Sequence, residues 1–147
     1  MAALLNRQAS FNYFIENRFE AGLHLVGTEV KSLREGKASF NDAFCLVEDG
    51  EIWIKSLHIA PYSHGTHANH DPIRTRKLLL HKREIKKIES QLKEKGFTLI
   101  PLKIFFTTSG FAKIEIGLAK GKKQADKRES LKKKQADREI RKGQYLD

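Results

Sequence analysis

"FTLIPLKIFFTTSGFAKIEIGL", residues 97–118, carries the pattern that decides the fold. In its second half apolar and polar residues alternate. Ile114, Ile116 and Leu118 face one way, while Lys113, Glu115 and Gly117 face the other. The first half is a mostly apolar run, and Ser109-Gly110 between the halves reads as a turn. The stretch predicts an antiparallel hairpin with one face toward a core.

Outward from this hairpin, "REIKKIESQLKEKG" repeats apolar residues at Ile85, Ile88 and Leu92 and stops at Gly96, a helical period with a helical end. Before it, "HDPIRTRKLLLHK" offers Asp71 as an N-cap and Pro72 at the first helical position, which predicts a second helix with Leu78, Leu79 and Leu80 on its apolar side. "FNDAFCLV" and "EIWIK" read as another hairpin, separated by Glu48-Asp49-Gly50. "GTEVKSLREG" predicts a helix that starts at Thr28, turns Val30 and Leu33 inward and ends at Gly36. Two short strands precede it: "YFIE", with Tyr13 and Ile15 on one face, and "LHLV", with Leu23 and Leu25.

The sum is six short strands and about three helices. Frequent hairpins without a βαβ rhythm indicate a mainly β (α+β) chain with an antiparallel, closed sheet. A six-stranded oligonucleotide-binding barrel with about three flanking helices is the natural candidate, although other α+β folds share the pattern.

With 147 residues the chain has room for one domain and a tail, and a formal charge of +10 points to a polyanionic partner. The charge is uneven. Residues 119–147 hold eleven Lys or Arg against five Asp or Glu, and their apolar residues are few. Ordering such a segment buries too little to offset its entropy, so the reading is a body at 1–118 and a basic tail at 119–147, disordered or fraying when free. "KKQAD" occurs at Lys122–Asp126 and again at Lys133–Asp137. Eleven residues are about three helical turns, so both copies would share one face of a helix that forms against a phosphate-lined groove. A basic tail that merely solubilises is the plainer alternative. No apolar run is long enough to span a membrane, and "MAALLNRQAS" lacks the apolar centre of a signal peptide. The single cysteine, Cys45, reads as a reduced, buried strand residue. A cytoplasmic protein is expected.

Chemistry-bearing motifs are sparse. His64, His67 and His70, with Asp71 beside the last, have the residue types of a zinc site, but a solvated loop leading into a helix cap explains them more simply. No nucleophile elbow or phosphate-cradling Gly-rich loop is present. The chain therefore reads as a non-enzyme without catalytic residues, metal or cofactor. Arg74, Arg76, Lys77, Lys82 and Arg83 surround the leucine cluster, and both a solvated outer face and an RNA surface fit them.

Three long motifs go further: "FEAGLHLVGTEVKSLREGKASF", "HDPIRTRKLLLHKREI" and "KIEIGLAKGKKQADKRE". With them the chain resembles the SsrA-binding protein (small protein B) family nearly end to end. The resemblance implies a monomer that binds the tRNA-like domain of transfer-messenger RNA and delivers it to stalled ribosomes for trans-translation. Elongation factor Tu would be met indirectly, through the alanyl form of the RNA. Carried over by motif, the RNA contacts are Glu20, Leu79 and Lys113, with Arg76 and Lys77 as secondary backbone contacts. Leu79 fits a base contact and a core position equally. Glu20 fits an acceptor for RNA donors as well as a structural acid that orients a neighbouring Arg or Lys. In the tail the resemblance assigns Gly121, Lys122, Lys123, Asp126, Lys127 and Arg128 to the ribosome. There the tail would become helical in the empty mRNA channel near the decoding centre, against small-subunit ribosomal RNA. Gly121 would permit the turn from barrel to helix. Ala125 departs from relatives that carry His or an aromatic residue.

Overall fold

Nine strands and three helices follow one another in the computed structural model, which describes residues 3–65, 69–122 and 128. They are β1 (Leu4–Leu5), α1 (Ala9–Asn12), β2 (Tyr13–Leu23), α2 (Gly27–Arg34), β3 (Ala38–Ser39), β4 (Phe44–Glu48), β5 (Glu51–Lys55), β6 (His58–Ile59), β7 (Arg76–Leu79), α3 (Lys82–Leu92), β8 (Phe97–Phe106) and β9 (Ala112–Gly121). Every strand pairing is antiparallel.

The main sheet runs β8-β4-β5-β7-β2-β9, and β8 pairs with β9 as well, so six strands close into a ring. This is the closed barrel expected. Closure satisfies the backbone groups that a free edge would leave unpaired. β1 adds to β8 outside the ring at Ile104 and Lys103, and β3 and β6 form a separate two-stranded ladder.

The 97–118 hairpin behaves as its alternation predicts: Ile114, Ile116 and Leu118 are fully buried. β9 runs on to Gly121, with Ala119 opposite Ile15 and Gly121 opposite Tyr13, so the boundary read at Leu118 falls inside a strand. The β4–β5 hairpin turns on Asp49 and Gly50, with φ of 53° and 72°. A two-residue turn with both φ positive matches the twist of paired strands, which explains the Asp-Gly pair. α3 lays Ile85 and Ile88 on the core. α2 forms as expected with Leu33 buried, but Val26, not Thr28, stands at its N-cap.

Two readings need correction. "YFIE" and "LHLV" are not two strands: β2 is one strand of eleven residues ending at Leu23, with a bulge between Ile15 and Asn17. The helix expected from Asp71 is a strand over Arg76–Leu79. Asp71 still acts locally, its Oδ1 accepting the Ile73 N–H at 3.0 Å. However, β5 and β2 supply ladder partners on both sides, and Arg76 and Leu78 turn inward, a period of two. Sheet pairing overrides the helix start, and the third helix is α1 instead. Among the described residues no helix is long and apolar enough to cross a membrane.

Candidate nucleic-acid interface

Strand β7 sorts its residues by parity. Arg76 and Leu78 are fully buried, whereas Lys77 and Leu79 face outward. Pairing then places Gly22 of β2 between Leu79 on one side and Lys113 of β9 on the other. A Cβ at Gly22 would stand 3.2 Å from the Leu79 Cβ, so glycine is what lets Leu79 settle across the strand. Glu20 lies two residues earlier on the same face of β2. Three strands distant in sequence thus bring Glu20, Leu79 and Lys113 into one cleft of about 480 Å³, whose lining includes Phe111 and, at the start of α3, His81 and Glu84.

Each member is chemically distinct. Leu79 is 51% exposed, which answers whether it is core: Leu78 fills that place. Lys113 is half-buried. Glu20 is exposed and has no hydrogen-bond or ion-pair partner among the described residues. Its ladder neighbour Glu115 is engaged, by Arg18 at 2.8 Å and Lys103 at 3.7 Å. The cleft therefore offers an acceptor, an apolar wall and a cation side by side. A second cleft of about 550 Å³ lies between the N-terminal segment and residues 38–44, and it gathers none of the contact residues read from the sequence. Chemistry, not size, selects the β2–β7–β9 cleft.

Arg76 does not belong to this surface. Its guanidinium is buried and donates to Glu29 Oε2, to the Leu57 carbonyl and to the Pro72 carbonyl at 3.2 Å, so it has no path to a phosphate. The sequence reading missed its partner. Glu29, also fully buried, accepts from Arg76, from Arg74 Nη2 at 2.7 Å and from the Val26 N–H at 2.9 Å. Burial pushes the Glu29 carboxyl upward, but the hydrogen bonds from Arg74, Val26 and Arg76 outweigh it and hold the group below its ordinary value. Only a Glu flanked by the helix start "GTEV" could have signalled this. The two arginines that bond it lie 45 and 47 positions away.

Lys77 faces outward but sits 3.6 Å from Glu51 Oε1. His70 spends both ring nitrogens, one on Thr28 Oγ1 at 2.8 Å and one on the Ile59 carbonyl at 2.9 Å, which orients it away from ligand duty. His64 is exposed, its ring centroid 5.4 Å from that of Tyr62 in an edge-to-face arrangement, and His67 lies outside the described residues. Among the described residues no group of three His, Cys, Asp or Glu side chains is arranged to hold a metal. Burial pushes the Cys45 thiol up, away from the reactive thiolate.

Of the tail residues, Gly121 is the extended end of β9, not a turn. Lys122 Nζ stands 4.9 Å from the Phe14 ring centroid, and its N–H donates to the Asn12 carbonyl at 2.8 Å. Arg128 is exposed. Lys123, Asp126 and Lys127 lie outside the described residues.

Residues 3–145 match the family model described as SmpB protein. The SsrA-binding protein of Fervidobacterium nodosum is 57% identical over 141 residues, covering 96% of this chain and 93% of its own. That of Geobacter metallireducens is 58% identical over 135 residues, covering 92% and 88%. A chain of the solved structure described as "tmRNA-SmpB: a journey to the center of the bacterial ribosome" superposes with a TM-score of 0.71 at 48% identity, covering 88% of this chain and 94% of that one.

Proposed function

The chain belongs to the SmpB protein family, and on that footing we propose that it binds the tRNA-like domain of transfer-messenger RNA and delivers it to stalled ribosomes in trans-translation. The observation that carries the reading is the meeting of Glu20, Leu79 and Lys113 in one cleft. Lys113 meets a phosphate, Leu79 packs on an exposed base or sugar, and Glu20 accepts from a base amino group or a ribose hydroxyl. Lys77 contributes at the margin, shared with Glu51. Relatives named SsrA-binding protein, and likeness to a chain of the solved tmRNA-SmpB structure named for the bacterial ribosome, support these partners. No bond is made or broken by the protein itself in this reading.

The tail has the second task. Gly121, Lys122, Lys123, Asp126, Lys127 and Arg128 begin a segment that becomes helical in an empty mRNA channel, its cations meeting small-subunit ribosomal RNA near the decoding centre. Repeated "KKQAD" on one helical face and the net positive charge of 119–147 support it.

A competition gel shift tests the body: labelled transfer-messenger RNA at about 0.15 M salt, challenged with excess bulk tRNA. A surviving complex is the expected result, and its loss overturns specific recognition. The tail is tested by ending the chain after Lys122, which spares β9. RNA binding should persist while tagging on stalled ribosomes disappears; a shortened protein that still tags breaks the division of labour.

A further inference from the structure

We infer that Phe111 is a stacking wall for one unpaired RNA base in the cleft of Glu20, Leu79 and Lys113, an assignment that rests on the RNA-binding reading of that cleft. At 69% exposure Phe111 is the most exposed large apolar side chain among the described residues. Its backbone is nevertheless held firmly. The Phe111 N–H donates to Thr107 Oγ1 at 3.1 Å, and its carbonyl accepts the Thr107 N–H at 2.9 Å. Beside it the Gly110 N–H donates to the Thr107 carbonyl at 2.9 Å, with Gly110 at φ 90°, where a larger residue is strained. Arg34 donates to the Gly110 carbonyl at 3.4 Å from outside the hairpin. An aromatic ring is thus presented on a pinned tip, not on a loose loop.

Four other phenylalanines are treated differently, whereas Phe44, 44% exposed, also has no cation over it among the described residues but lines the other cleft, away from Glu20, Leu79 and Lys113. Lys122 stands over Phe14, Lys120 over Phe97, Lys103 over Phe105 and Arg34 over Phe106, all within 5.4 Å of the ring centroid. These cations cover aromatic faces that would otherwise meet water. Among the described residues no ring or cation is set against Phe111. Its face is left open beside a second exposed apolar side chain, Leu79, a cation and an unengaged carboxylate. A base has an apolar face for Phe111 and Leu79, N–H donors for Glu20 and a phosphate for Lys113. A protein partner would answer the two apolar groups but not the charge pattern of a chain at +10.

The test compares F111A and F111W in the full chain, binding transfer-messenger RNA across a salt series. Stacking predicts that F111A weakens binding about tenfold or more, with an unchanged salt slope and an unchanged thermal midpoint. F111W should restore affinity, and in a W53F background its emission should be quenched when RNA is added. Wild-type affinity in F111A, or F111W emission indifferent to bound RNA, overturns the assignment. So does an F111A protein that keeps its RNA but loses self-association, since the ring would then face a second copy. Failure of the RNA reading itself shows in the unsubstituted protein, which would lose its RNA to bulk tRNA, and this inference falls with it.

Discussion

Two glutamates nine residues apart have opposite surroundings. Glu29 is fully buried and receives donors from Arg74, Arg76 and the Val26 backbone. Glu20 is exposed and has no partner among the described residues. The arginine cluster ties α2 to the start of β7, while the Glu20 cleft opens at the end of the same strand. A charge taken from water must be fully satisfied or the fold fails, so the buried group is committed to structure. A charge left in water keeps its hydration and its freedom to bind. Neighbouring residues of β7 repeat the lesson: Arg76 inside, Lys77 outside.

The largest effect expected from this contrast is on folding. Glu29→Ala strands two arginines, one of them buried, and should lower unfolding free energy by about 3–5 kcal/mol, read from urea denaturation. A loss within the error of the method would mean the cluster is incidental. The same group sets an acid limit. Its folded-state pKa lies below its ordinary value, so its stabilisation is complete above the unfolded pKa, about 4.3, and fades as pH falls through the lower folded value. Urea midpoints measured from pH 7 down to 3 should fall more steeply in the natural chain than in Glu29→Gln; parallel curves would remove Glu29 from the acid limb.

On the exposed side the expectation reverses. Lys113→Ala should leave the unfolding free energy from urea denaturation within about 0.5 kcal/mol of the natural protein. It should flatten the salt dependence of RNA binding by about one unit in slope. An unaltered slope would place Lys113 away from the phosphates. Glu20→Gln should have the smallest effect, an affinity loss of about tenfold, or ~1.4 kcal/mol, with neither the midpoint nor the salt slope changed. If Glu20→Gln instead melts early, the contrast between the two glutamates collapses.

Some of this was legible in residues alone. Alternation through Ile114, Ile116 and Leu118 announced its strand because period two has no helical counterpart. Asp49-Gly50 announced its turn, and Ile85 and Ile88 their helix face. Lys113 was readable as outward because its neighbours were readable as inward. "RTRKLLLH" was not legible. Asp71-Pro72 is a valid helix start, and three consecutive leucines satisfy either period. Leu78 and Leu79 could be told apart only by pairing with Ile52, Leu23 and Gly22, which are remote in the chain. Phe111 escaped notice because an aromatic residue just before a strand is ordinary; its significance shows only in the cleft it shares with Glu20, Leu79 and Lys113.

By itself the sequence determined the strand-rich class, the hairpins, the basic tail and the family, since each rests on local periodicity, turn chemistry or long contiguous motifs. Tertiary structure decided the closed ring, the inward turn of Arg76 onto Glu29 and the meeting of Glu20, Leu79 and Lys113 with Phe111. The physical reason is one of range. Local patterns set which face a residue can take, but ring closure chooses which strands are neighbours, and only neighbours share a charge or a cleft.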